Sequence, residues 1–308
     1  MASSGPIPFV PPLVDFEYGV VEQVSPLIRR IIADNPTKYS YRGTGTYIVG
    51  HGDVVVIDPG PALDHHRDAL AAELSGERVR AILVTHCHAD HSPLAAWLRD
   101  ETGAPTVAFG PHGAVDLDDV DADVKVEESI DLAFVPDVLA ADGDVVAEIG
   151  GAAMRAVHTP GHTSNHLCFS LEAEHALFTG DHVMGWSTTV VSPPDGDMRA
   201  YVESLAKVAG RHDVMLWPTH GNPITDVEPF LDAYLAHRLE RERQVLAQVR
   251  AGSTTIEAMV AVLYADVRDE LHKAAGRSVF AHLVKLVGDG LVDTETTPPT
   301  LKSEFHPV

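Results

Sequence analysis

The stretch Thr85-His86-Cys87-His88-Ala89-Asp90-His91 constrains this chain more than any other. It places three imidazoles and a carboxylate within six positions. Residues 80–84, Arg-Ala-Ile-Leu-Val, precede it as a short apolar run that reads as a buried strand. Ser92 and Pro93 follow as a helix start, with Ser92 as N-cap and Pro93 at the first helical position. A strand feeds the cluster and a helix leads away, so it sits on a strand-end loop, where function concentrates in folds that mix strands and helices.

The rest of the chain is read around that loop. Strands are expected over 18–24 and 27–33, and a hairpin over 45–50 and 53–58 turns at Gly50-His51-Gly52. A helix is expected over 64–74 with Asp64 as N-cap. Further strands are expected at 106–109, 144–148, 153–158, 166–171, 175–179 and 214–217, with a helix over 197–208. The order predicts a mixed α/β fold of stacked sheets rather than regular βαβ repetition. Beyond residues 223–229 the pattern turns helical, over 230–250, 255–264, 267–275 and 278–287. A turn at 288–290 and a strand over 291–295 complete it. The division is drawn at 1–226 and 227–308. Three helices and a small hairpin resemble a winged helix.

Charge bears on what such a module binds. Over 245–295 there are five basic and seven acidic residues, so no basic face emerges. The whole chain of 308 residues has a net charge of −23 with His neutral, which repels polyanions. Eight Asp or Glu lie between 116 and 131 and read as a solvated loop. No apolar run approaches 18 residues, so no membrane span is expected. The Pro-rich start 1–14 reads as an extended arm without a leader. Two cysteines, Cys87 and Cys168, give no disulfide framework, and a cytoplasmic location is expected.

Metal binding needs ligands that converge. His86 and His88 are two apart and point to one side of an extended backbone, while Asp90 and His91 can face a second centre. Imidazole with carboxylate suits zinc, and also iron or manganese. Three later strand ends carry further candidates beside Gly or Pro: His162 in Thr-Pro-Gly-His-Thr, Asp181 in Thr-Gly-Asp, and His220 in Thr-His-Gly.

In this order and spacing, these motifs and the Asp58-Pro59-Gly60 turn resemble the metallo-β-lactamase superfamily. The resemblance spans about residues 18–225. It implies an αββα sandwich of two mixed sheets, followed here by the winged-helix-like segment. It assigns His86, His88 and His162 to one metal, Asp90, His91 and His220 to a second, and Asp181 to both. A bridging Asp resembles the glyoxalase-II-like and nuclease-like branches rather than the true β-lactamases. The run 237–242, His-Arg-Leu-Glu-Arg-Glu, with Asn35-Pro36 and Gly43-Thr44-Gly45-Thr46-Tyr47, resembles the lactamase-beta-2-like subgroup. This chain has Gly45 where that subgroup usually carries Asn, and Asn165 where it carries Asp.

The implied activity is hydrolysis by a hydroxide shared between two divalent ions, zinc first, on a small ester, thioester, lactone or amide. A single-strand endoribonuclease is the alternative, followed by a β-lactamase or an iron redox enzyme. The partner is a small molecule; nucleic acid is disfavoured by charge, and a homodimer is open. Asp90 is the candidate proton donor to the leaving group. Asp58 is expected to orient a ligand histidine. His166 either touches substrate or supports a ligand, and Trp186 either walls the pocket or belongs to a rigid surface loop. His158 is expected to be structural. Alternation along the strand ends turns Cys87 and His182 away from the metals, and His65, His66 and His112 are expected at the surface.

Overall fold

The computed structural model describes residues 15–113, 130–266 and 272–308. The arm 1–14 and the acidic stretch up to residue 129 lie outside them, as do 267–271.

Two mixed sheets form the sandwich. The first holds β1 (Val21–Gln23), β2 (Ile28–Ile32), β3 (Gly45–His51), β4 (Asp53–Ile57), β5 (Arg78–Leu83), β6 (Thr106–Ala108) and β7 (Val138–Leu139) in that order. Pairing is antiparallel from β1 to β4 and parallel from β4 to β7. The second holds β8 (Val145–Ile149), β9 (Ala152–His158), β10 (Leu167–Leu171), β11 (Ala176–Gly180) and β12 (Met215–Pro218). There only β11 and β12 run parallel.

Alternation decides the layers. On β3 and β4, Tyr47, Val49, Val55 and Ile57 turn inward against Phe169, Leu171, Phe178 and Trp217 of the second sheet. Ile48, Val54 and Val56 turn outward onto Leu70 of α1 (Asp64–Glu73) and Leu98 of α2 (Leu94–Thr102). On the other side, Cys168, Leu177 and Leu216 pack against Tyr201 and Leu205 of α3 (Met198–Ala209) and Tyr234 of α4 (Val227–Arg250). The layering is therefore αββα.

A separate apolar cluster joins Val245 and Val249 at the far end of α4 with α5 (Ile256–Leu263) and α6 (His272–Gly288). The small sheet there pairs β13 (Val292–Asp293) with β14 (His306–Pro307). The expected break between 275 and 278 is absent, because α6 is continuous from His272. Gly276 lies inside it, and a Cβ there would make only ordinary contact with Ile256 Cγ2, at 3.4 Å. Caps also differ. Asp64 is the first residue of α1 and Leu63 its N-cap. Pro93 rather than Ser92 precedes α2, since Ser92 Oγ donates to Asp131 at 2.8 Å.

Two histidines expected at the surface are buried. His112 is 9% exposed, and among the described residues neither ring nitrogen has a hydrogen-bond partner. His66, fully buried, has Nε2 2.9 Å from Thr46 Oγ1 beneath the Asp58 turn. The polar run Asp64-His65-His66-Arg67 hides that only the His66 face of α1 meets the sheet; His65 is exposed. Burial pushes the His66 ring down to about 4. Between 6.5 and about 4 the unfolded chain therefore takes up a proton that the folded chain refuses. His66 accordingly removes about 3 kcal/mol of stability as pH falls through that window, and nothing more below it. Denaturant unfolding of the wild type and His66→Gln across about pH 4–7 should show the wild type losing stability more steeply.

Candidate metal centre

The site lies where strand ends meet. Residues 84–91 follow β5, Asp181 follows β11, His220 follows β12, and residues 159–166 join β9 to β10. Two glycines make this approach possible. Gly161 (φ +138°) would place a Cβ 2.3 Å from Tyr201 Cα, and Gly180 (φ +51°) would place one 2.7 Å from His166 Nε2. Thus Thr-Pro-Gly-His turns against α3, and Thr-Gly-Asp turns against His166.

Two donor groups form: His86, His88, His162 and Asp181, and beside them Asp90, His91 and His220. All seven residues expected as ligands are brought together. Each ring's outer partner fixes which nitrogen faces in. His162 Nδ1 lies 2.7 Å from the Val190 carbonyl oxygen and His220 Nδ1 3.1 Å from that of Gly43. Carbonyls only accept, so both Nδ1 atoms carry hydrogen and Nε2 points inward. Thr85 gives its hydroxyl hydrogen to Asp58 Oδ2 at 2.8 Å, so His86 Nδ1 donates to Thr85 Oγ1 at 3.0 Å. His86 Nε2 then faces His88 Nδ1 at 2.9 Å, and His162 Nε2 faces the same atom at 3.2 Å.

Three ring nitrogens therefore converge with a shortage of hydrogens between them. Burial, then mutual repulsion, hold His86 well below the usual imidazole range; burial and His162 push His88 down to about 3. Around the second group, carboxylates and imidazoles face one another instead. Asp181 Oδ1 lies 3.4 Å from His220 Nε2 and 3.6 Å from His91 Nε2, while Oδ2 lies 3.8 Å from His162 Nε2. Burial alone would raise the Asp181 carboxyl, but His220 and His91 outweigh it and hold it well below the usual range. Burial likewise opposes the charge on His91, yet Asp90, Asp181 and Asp58 push it up to about 9. Among the described residues, His91 Nε2 and Asp181 Oδ1 are buried without a hydrogen-bond partner. Such a centre calls for positive charge, and imidazole with carboxylate oxygen is a donor set that divalent ions accept.

Asp58 lies behind the loop. It accepts from the Thr85 amide and hydroxyl, from His91 Nδ1 and from Thr219 Oγ1. His166 is an internal support: Nδ1 meets Thr159 Oγ1, and Nε2 accepts the Asp181 amide at 3.2 Å. Cys87 turns away, its thiol 3.7 Å from the Gly110 carbonyl, as alternation requires. His182 likewise lies outside both groups, 5.0 Å from the Tyr201 ring, and His158 stacks on Phe109. Asn165 donates to the same Gly110 carbonyl at 3.1 Å, a bond a carboxylate at 165 could not make.

Trp186 stacks on Tyr41 at 4.8 Å, and Tyr41 lines a shallow open cleft with Arg30, Asn222 and Thr219. Thr44, Thr85, Thr219, Thr189 and Val190 also shape the site. Their residue types alone carried no signal, since each acts through one backbone or hydroxyl oxygen.

A family model described as the metallo-beta-lactamase superfamily matches residues 42–220. The chain belongs to this superfamily. A second model, a beta-lactamase associated winged helix domain, matches residues 255–297. An atrochrysone carboxyl ACP thioesterase from Aspergillus chevalieri is 33% identical over 301 residues, covering 93% of this chain and 87% of the relative. A lactamase-like protein from Pestalotiopsis fici is 31% identical over 279 residues, covering 86% and 80%. Among solved structures, a beta-lactamase domain protein from Burkholderia ambifaria superposes with a TM-score of 0.78. It is 23% identical and covers 100% of this chain and 99% of its own. The winged-helix match fits α5, α6 and the β13 strand, and the chain is a metallo-beta-lactamase superfamily hydrolase. Among the described residues, no helix is long and apolar enough to cross a membrane.

Proposed function

We propose that the chain hydrolyses an acyl thioester of a small molecule, with two divalent ions, zinc first, held by the two donor groups and bridged by Asp181. The observation that carries the two-ion reading is the split of Asp181: one carboxylate oxygen faces each group. Ions held there supply a Lewis acid for the carbonyl and an acidified water as nucleophile.

The chain's own groups do the rest. Asp58 keeps the His91 and His86 rings turned inward, the latter through Thr85. Asp90 accepts from Thr44 Oγ1 at 3.0 Å and sits 3.2 Å from His220 Nε2. Burial would raise its carboxyl, but His91 and His220 hold it well below the usual range. Asp90 is thus ionised at neutral pH, fit to help hold an ion and unfit to hand a proton to a leaving group. That favours a thioester over an amide. A thiolate with a pKa near ~8.5 departs without prior protonation, whereas an amine must be handed a proton. The thioesterase relative supports the same choice. The net charge of −23 opposes binding of RNA.

The test is a panel of acyl thioester, lactone, β-lactam and single-stranded RNA substrates, with metal counted on the purified protein. Thioester turnover lost to a chelator and restored by zinc, with close to two metals per chain, is expected. A β-lactam or RNA turned over while thioesters stay inert overturns the substrate. Fewer than one metal per chain overturns the two-ion reading.

A further inference from the structure

Helix α4 follows the catalytic motifs in sequence, yet two of its side chains support the metal centre from behind. Tyr234 Oη accepts the Thr189 amide at 2.6 Å and donates to the Ser187 carbonyl at 3.2 Å. One turn on, Arg238 donates through Nη2 to the Thr189 carbonyl. Thr189 Oγ1 in turn donates to the Asp181 carbonyl at 2.7 Å. The next residue, Val190, offers the carbonyl that fixes the His162 ring. Residues 187–190 are thus gripped by α4 on one side and grip Asp181 and His162 on the other.

Arg238 is 3% exposed. Its guanidinium lies 5.0 Å from the Tyr201 ring centroid and 5.9 Å from that of Tyr234, and its Nε has no hydrogen-bond partner among the described residues. A buried, incompletely satisfied cation costs stability, and an apolar side chain of like volume would pack as well or better. Packing therefore does not account for an arginine here; the grip on residue 189 does.

We infer that Arg238 and Tyr234 are positioning residues for metal binding, acting through the 187–190 loop on His162 and Asp181. The inference rests on the metal-site reading above, but its test needs no substrate. Zn²⁺ affinity is measured by chelator competition on the full chain, with the absorption spectrum of the Co²⁺-substituted protein and the melting temperature of the metal-free form. Arg238→Met and Tyr234→Phe should each weaken zinc binding about tenfold and shift the cobalt spectrum. Arg238→Lys, which keeps a donor, should recover part of the affinity, and metal-free Arg238→Met should melt at or above the wild type. Zinc affinity unchanged in both Arg238→Met and Tyr234→Phe overturns the inference. So does a loss that merely follows a fall in metal-free melting temperature, with Arg238→Lys no better than Arg238→Met. A wild type that binds no zinc refutes the site reading itself, a separate outcome.

Discussion

Asp181→Asn should lower kcat/KM for a thioester about 10³-fold, ~4 kcal/mol in the barrier, while leaving the metal-free fold intact. The two carboxylate oxygens face different donor groups, so one neutral amide can serve at most one of them. Its NH₂ offers no lone pair to an ion, so the donor group it faces loses a ligand. In the metal-free protein the same change costs some stability, because His220 and His91 favour the carboxylate by more than burial penalises it. Metal content should fall towards one ion per chain. Kinetics, metal counting and thermal melting on one preparation check this together. Near-wild-type turnover with two metals retained would remove Asp181 from the mechanism.

Asp58→Asn should weaken metal binding about 10–100-fold, although Asp58 belongs to neither donor group. Every group around its carboxylate is a donor: the Thr85 amide and hydroxyl and His91 Nδ1, each at 2.8 Å, and Thr219 Oγ1 at 3.2 Å. Whichever way an amide is turned, its NH₂ meets at least one of them. The cost falls on His91 directly and on His86 through Thr85. A further loss of about 1–3 kcal/mol in the metal-free fold is expected from the buried donors left unpaired. Backbone strain is not the cause, because asparagine tolerates the left-handed φ of +48° found here. Chelator competition and denaturant unfolding of the metal-free protein separate the two effects. Unchanged metal affinity would show that the rings are held by packing alone.

Much of the site was legible because ligand chemistry is a property of residue type. Only His, Asp and a few others can hold a divalent ion; four of them crowd one loop, and the other three each stood past an apolar run beside Gly. The αββα layering was legible through the resemblance that the motifs carry, whereas the order of elements alone gave a mixed α/β fold of stacked sheets. What was missed came from contacts distant in sequence. His66 sits in a polar run and His112 in a Gly-Pro-His-Gly stretch, and both are buried by elements elsewhere in the chain. The helix runs through Gly276, where a break was expected, because Ala275, Val279, Phe280 and Leu283 bury one apolar face against Val245, Val249 and Ile256.

The sequence by itself determined the seven ligand candidates, their order and a mixed α/β fold of stacked sheets, since residue type and periodicity act locally. Tertiary structure alone decided which nitrogen of each ring faces the centre. His220 depends on Gly43, 177 residues away, and His162 on Val190. It also decided that a helix beyond the catalytic motifs, through Tyr234 and Arg238, holds the loop behind Asp181. The physical reason is that hydrogen bonds orient a ring, and their acceptors are backbone carbonyls whose positions only the completed fold defines.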